Sequence, residues 1–236
     1  MKKLFYTSLW LTFWLPIKIL WPTKVLGKRN RPRGRQIAIS NHLSWKDIPV
    51  TGIGVRGFRR FFAKKEIGRN PLIRLVCKLA GVIFVDRGKA DLSAIRASVA
   101  VLKKGGGLHI YPESHRNRLG NTELQEVKSG AAMIAIKGKA PLMPVIIYNK
   151  PRLFRRNYIY VGRPFELTEY YGRKLDTPAL EAAASEVSRQ MKLTQAVLRD
   201  SVANKRWKRK NRLSTDELYA VAKESLAASS NSEEEA

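Results

Sequence analysis

The chain has 236 residues, enough for one globular domain with short appendages or at most two small domains, and its 44% hydrophobic against 27% charged residues exclude a disordered, fibrous or polytopic membrane protein. Its 45 Lys and Arg against 19 Asp and Glu leave a net charge of +26, a surplus that calls for nucleic acid, an anionic membrane surface or phosphorylated substrates. One cysteine, Cys77, excludes an internal disulfide and a thiolate zinc site, and His42, His109 and His115 would need carboxylate partners to hold a metal.

From Leu4 to Ile17 the chain is mostly apolar, flanked by Lys2, Lys3, Lys18 and Lys24. The run has the length of a secretory leader core, but no small-x-small cleavage site follows it. Pro16 and Lys18 interrupt it before the about 20 apolar residues that a membrane span needs. Trp10, Trp14, Ile17 and Trp21 recur at helical spacing, the basic stretch Lys28 to Arg35 follows, and the first acidic residue is Asp47. The pattern predicts a membrane-interfacial helix with basic residues on anionic headgroups. A helix packed on the domain and a short tilted span are the alternatives.

Beyond residue 35, short apolar runs alternate with helical ones. Gln36–Ser40, Arg60–Ala63, Val82–Val85, Leu108–Tyr111 and Leu142–Tyr148 read as buried strands. Pro71 to Leu79 and Asp91 to Lys104 read as helices, the second with Leu92, Ile95, Val99 and Leu102 on one stripe, and Cys77 reads as a small buried hydrophobe. The Gly105–Gly107 run reads as a turn into a strand, and His109 as a core or lining residue. Thr177-Pro178 opens a helix to about Asp200, and Ser214 to Glu217 is a capping box for a last one. The reading is an α/β domain with a largely parallel sheet flanked by helices. The expected organisation is an N-terminal anchor over residues 1–35, the domain over 36–202, and a basic run, short helix and acidic tail over 203–236. Lys205 to Arg212, with Trp207 interleaved, favours a second membrane contact over nucleic acid, since an anchor already stands at the other end.

Ligands of such sheets sit beyond the carboxyl ends of the strands, so the residues there carry the chemistry. After the first run come His42 and, five residues on, Asp47; a carboxylate on one ring nitrogen leaves the other free to take a hydroxyl proton. Alone this spacing also fits a surface histidine ahead of a helix start. After Val85 come Asp86 and Arg87, and after Tyr111 come Pro112, Glu113 and Arg116. Each arginine is placed to hold a phosphate, or is one more solvated loop arginine in a basic chain.

The segments Asn41-His42-x4-Asp47, Gly81 to Arg87, Tyr111-Pro-Glu113-Ser-His-Arg116 and Ala140-Pro141-Leu-Met-Pro144-Val stand in the order and spacing of the glycerolipid acyltransferase motifs. The chain resembles the bacterial 1-acyl-glycerol-3-phosphate acyltransferases over about residues 36 to 165. The resemblance implies that His42 is the general base, that Asp47 orients it, and that Arg87, Glu113 and Arg116, with Lys64, bind the acceptor. Pro141 and Pro144 would lie on the acyl-donor side. It implies acyl transfer from acyl-CoA or acyl carrier protein, as co-substrate, to a lysophospholipid hydroxyl, with no cofactor, metal or covalent acyl-enzyme. The expected place is the cytoplasmic face of the cell membrane, peripheral or monotopic. A nucleic-acid-binding module would leave the four ordered motifs unexplained. One departure stands out: the usual third motif reads Pro-Glu-Gly-Thr-Arg, and here Ser114 and His115 replace Gly and Thr. That leaves the acceptor headgroup open to a larger lysophospholipid or a lyso-aminolipid.

Overall fold

The computed structural model describes residues 12, 16–55, 57, 59–86, 91–117 and 121–234. Trp10, Trp14 and Arg87 lie outside the described residues. Seven strands, β1 (Thr23–Leu26), β2 (Gln36–Ile39), β3 (Arg59–Lys64), β4 (Ile83–Val85), β5 (Gly107–Ile110), β6 (Leu142–Ile147) and β7 (Asn157–Val161), form one sheet in the order β1-β7-β6-β2-β5-β3-β4. Every neighbouring pair is parallel except β6 with β7.

The central strands β2, β5 and β6 are buried throughout and mostly apolar because both faces of the sheet are covered there. All residues of β2 and β6 are buried, and their side chains alternate between two cores. Ile37, Ile39, Leu142 and Ile146 meet Leu102, Leu108, Met191 and Leu198 on one face; Ala38, Met143, Val145 and Ile147 meet Trp21, Leu43 and Val50 on the other. Six helices lie wholly among the described residues: α1 (Asp47–Gly54), α2 (Pro71–Leu79), α3 (Leu92–Lys103), α4 (Gly130–Gly138), α5 (Thr177–Ala203) and α6 (Thr215–Glu234).

Local chemistry sets the helix starts. Asn70 Oδ1 accepts from the backbone N–H of Leu72 and Ile73, and Asp91 from that of Ala94. Asp176 caps α5 by accepting from Ala179 N–H, so the cap falls one residue before the Thr177 expected from sequence. The capping box of α6 is reciprocal: Ser214 N–H donates to Glu217 Oε2 at 2.6 Å and Glu217 N–H to Ser214 Oγ at 3.2 Å.

Five expectations are corrected. Residues 1–35 do not stand apart from the domain as a whole, because β1 pairs in register with β7 and Asn30 Nδ2 donates to Val161 O at 2.8 Å. Gly27 ends β1 at φ +65°, where a Cβ would lie 2.2 Å from Val161 O, so only glycine lets the chain pass. Trp21 is buried in the core and edge-on to Trp45 at 6.3 Å, so it is not presented to headgroups. The boundary near residue 202 falls inside α5, and Leu218, Tyr219 and Ala222 of α6 join the same core as α5. The α3 stripe is rotated: Ala94, Ser98, Val101 and Leu102 face inward while Leu92 is exposed. Cys77 is only half-buried, on a helix with no buried residue.

Candidate active site

Strand β2 delivers Ser40, Asn41 and His42 to the carboxyl edge of the sheet at its centre, between β5 and β6. Asn41 is fully buried and clamps this loop to the end of β6: its Nδ2 donates to Ile147 O at 3.0 Å and its Oδ1 accepts from Ile147 N–H at 2.8 Å. The chain then turns into α1, whose first residue is Asp47. Asp47 is fully buried, and its Oδ2 accepts from Leu43 N–H and Ser44 N–H, both at 2.6 Å, and from His42 Nδ1 at 2.9 Å. The carboxylate therefore shapes the loop and fixes the imidazole with its proton on Nδ1. Nε2 makes no hydrogen bond among the described residues and is left as an acceptor.

An aromatic pile supports the ring. Tyr111 stacks on His42 at 4.4 Å, His109 lies 5.2 Å from Tyr111, and Phe61 stacks on His109 at 4.7 Å. Tyr111 Oη and Thr51 Oγ1 share a hydrogen bond of 3.0 Å, and Thr51 Oγ1 also donates to Asp47 O at 2.8 Å. The tyrosine thus ties the imidazole face to the helix that carries its carboxylate. Burial, helped by the charges of Arg59 and His42, pulls His109 down to about 3. It is neutral and hydrogen-bonded through Nε2 to Ser40 Oγ at 3.0 Å, a core residue as expected.

After β5, Glu113 turns inward and is buried, with no hydrogen-bond partner on either oxygen among the described residues. Burial pushes its carboxyl up to about 8, against the pull of the nearby His42 and Gln125 backbone N–H groups and with a further push from Asp47. Ser114 adopts φ +61°, in the left-handed region that favours glycine. His115 and Arg116 are exposed, and Asn117 N–H donates to His42 O at 2.7 Å, locking this loop to the histidine.

A cavity of about 1040 Å³ opens beside the loop. Leu43, Ser44 and Trp45 form one wall, and Lys46, Arg116, Lys150 and Arg152 bring four cations to its lining. Lys64 ends β3 in register with Val85, two residues before position 87. The structure thus brings together His42, Asp47, Glu113 and the Arg116 loop; Lys64 stands two strands away, across β5, and Arg87 lies outside the described residues. Sequence reasoning missed Asn41, Thr51 and Tyr111 as supports of the histidine. Only Asn41 carried a signal, by adjoining His42. Among the described residues no cluster of His, Cys, Asp or Glu is arranged to hold a metal ion, and no helix is long and apolar enough to cross a membrane.

The sequence model of the Acyltransferase family matches residues 22–148. Over 163 residues the chain is 32% identical to the 1-acyl-sn-glycerol-3-phosphate acyltransferase of Borreliella burgdorferi, covering 68% of this chain but only 62% of that protein. It is 30% identical over 155 residues to the Bacillus subtilis protein of the same name, covering 62% of this chain and 75% of that one. The crystal structure of the 1-acyl-sn-glycerophosphate acyltransferase of Thermotoga maritima superposes with a TM-score of 0.57 at 24% identity, over 77% of this chain and 72% of that one, a likeness of fold.

Proposed function

The chain belongs to the Acyltransferase family, and from that premise we propose that it moves a fatty acyl group from acyl-CoA or acyl carrier protein to the free hydroxyl of 1-acyl-glycerol-3-phosphate, giving phosphatidate. The observation that carries this reading is the buried Asp47 oxygen on His42 Nδ1, with Nε2 left to work. In the proposed step Nε2 takes the acceptor's hydroxyl proton as that oxygen attacks the thioester carbon. The C–S bond then breaks, the sulfur leaves as a thiolate, and the proton on Nε2 passes to it or to solvent. Asp47 offsets the positive charge of the imidazolium, as the aspartate of a serine-hydrolase triad does. Arg116 at the cavity would hold the acceptor's phosphate, a role the motifs also assign to Arg87 and Lys64. Glu113, protonated at neutral pH, would sit beneath the acceptor as a hydrogen-bond donor. The proposed place of work is the cytoplasmic face of the membrane, with the N-terminal segment on an anionic surface.

A second reading, a lyso-aminolipid acceptor, is favoured by Ser114 and the exposed His115 in the motif that lines the acceptor side. The test is a donor-by-acceptor matrix: acyl-CoA and acyl carrier protein against lysophosphatidate, glycerol-3-phosphate, neutral lysolipids and lyso-aminolipids, with products identified by mass. Phosphatidate as the dominant ester supports the first reading and an acylated aminolipid the second. No new ester from any pair would refute both.

A further inference from the structure

Helix α2 carries an apolar face that the described fold leaves uncovered. Leu72, Ile73, Leu75, Val76 and Leu79 are all exposed, Leu72 by 69%. At about 100° per residue these side chains and Cys77 fill one continuous arc, while Arg74 and Lys78, one turn apart, occupy the other side. A helix of nine residues is too short to persist on propensity alone and ordinarily relies on packing of its apolar face. Here Asn70 caps its start and its main neighbour is the 3-10 turn Lys65–Arg69, so the apolar arc is spare. Monomeric soluble domains rarely leave such a contiguous patch open without a use for it.

The charge around it identifies the partner. From Lys64 to Val85 the chain has the cations Lys64, Lys65, Arg69, Arg74 and Lys78 against one carboxylate, Glu66. A wide apolar arc flanked by Lys and Arg is the pattern of a helix lying in a lipid interface. An acidic protein partner would match the cations and leave most of the arc in water. Position agrees: β3 runs parallel to β5, and β5 to β2, so the turn after β3 leaves the same edge of the sheet as His42. Lys65 Nζ holds Asp91 at 3.2 Å, tying the turn to the start of α3, and Ile67 of the turn and Leu92 of α3 are both exposed.

We propose that α2, with Ile67 and Leu92, inserts into the headgroup and acyl boundary of an anionic bilayer, as a docking element distinct from the N-terminal segment. It sets the His42 edge of the sheet toward the leaflet. This docking does not depend on which acceptor is acylated.

Cys77, the one cysteine of the chain, lies on the flank of this arc, so a nitroxide attached there reports on α2 in the full-length protein. The probe surface is vesicles of about three parts phosphatidylethanolamine to one part phosphatidylglycerol, at low ionic strength. On bound protein the label should become accessible to oxygen and shielded from a water-soluble nickel chelate; in solution it should be open to both. A label still open to nickel on vesicle-bound protein overturns the proposal. Shielding already present without lipid overturns it too: a dependence on protein concentration would identify a second copy, and loss on deleting residues 1–15 the chain's own segment. Leu72→Gln with Leu75→Gln changes only exposed positions and should lower vesicle partition about tenfold, with an unchanged circular dichroism spectrum. Activity on a dispersed short-chain acceptor should be unchanged. Unaltered partition, or loss of that soluble activity in a folded variant, would show that α2 does not serve the membrane.

Discussion

Replacing Asp47 by Asn keeps the shape of the residue that organises the candidate site and removes its charge. The carboxylate accepts three hydrogen bonds on Oδ2, while Oδ1 is buried with no partner among the described residues. An Asn that places its oxygen at Oδ2 keeps all three bonds and puts an NH2 group where no acceptor waits. The flipped amide instead sets that NH2 against the N–H groups of Leu43 and Ser44, which is worse. The first arrangement costs about 1–3 kcal/mol for buried unsatisfied donors, hence a Tm lower by roughly 2–12 °C. The chemical cost is larger, because the imidazolium formed on proton transfer loses its counter-charge: turnover should fall about 10²–10⁴-fold, or about 3–5 kcal/mol of barrier. The assay follows thiol release from acyl-CoA with saturating lysophosphatidate, beside circular dichroism of the same sample. A folded Asp47→Asn protein retaining more than about a tenth of turnover, against that estimate, would refute the reasoning. Residues acting as a unit are non-additive, so His42→Ala with Asp47→Asn should be no slower than His42→Ala alone. A further hundredfold loss would show that the two act separately.

Three more outcomes follow from the geometry. Burial pushes the Glu113 carboxyl up to about 8 from its ordinary 4.5; between those values the native state holds a proton that the unfolded state has released, so stability should fall as pH rises from 4.5 to 8. Glu113→Gln should flatten that slope in thermal unfolding, and parallel curves would contradict it. Ser114 is held at φ +61°, so Ser114→Gly, relieving about 1 kcal/mol of strain against a similar entropy cost, should be neutral to slightly stabilising in urea, whereas Ser114→Val should lose about 2 kcal/mol or more. Arg116 is exposed on the cavity lining, so Arg116→Ala should raise the KM for a phosphate-bearing acceptor about tenfold with little change in Tm. An equal loss with an uncharged acceptor would make the arginine structural.

Strands and helices whose signal is local were legible in the sequence. The five runs read as strands fall within a residue or two of β2 to β6; both-face burial holds for β2, β5 and β6, whereas β3 and β4, toward the edge of the sheet, are mostly half-buried and not the buried strands expected. Strands β1 and β7 were not, since β1 is four residues with Lys24 inside it and its partner lies far along the chain. The His42–Asp47 pair was legible because a helix start reaching back over five residues is a local geometry. The Tyr111 stack and the Asn41 clamp arise from β5 and β6 meeting β2, which no spacing in the chain records. Helix α2 shows the same division: its ends match the pattern, yet its apolar stripe says nothing of what covers it, and Cys77 is half-open where a core position was expected.

The edge strand β1 also dictates an order of assembly. Asn30 closes on Val161, 131 residues later. A ribosome adding about 5–20 residues per second takes roughly 7–26 s to cover that distance. Throughout that interval the emerged N-terminal segment has no β7 to pair with, and Trp21 lacks Ile159 and Val161, which complete its surroundings. An apolar start followed by an unpaired strand edge is vulnerable to premature aggregation and open to capture by the membrane or a chaperone. A nascent chain stalled before Asn157 should therefore be far more sensitive to protease at residues 17–30 than one released after Val161.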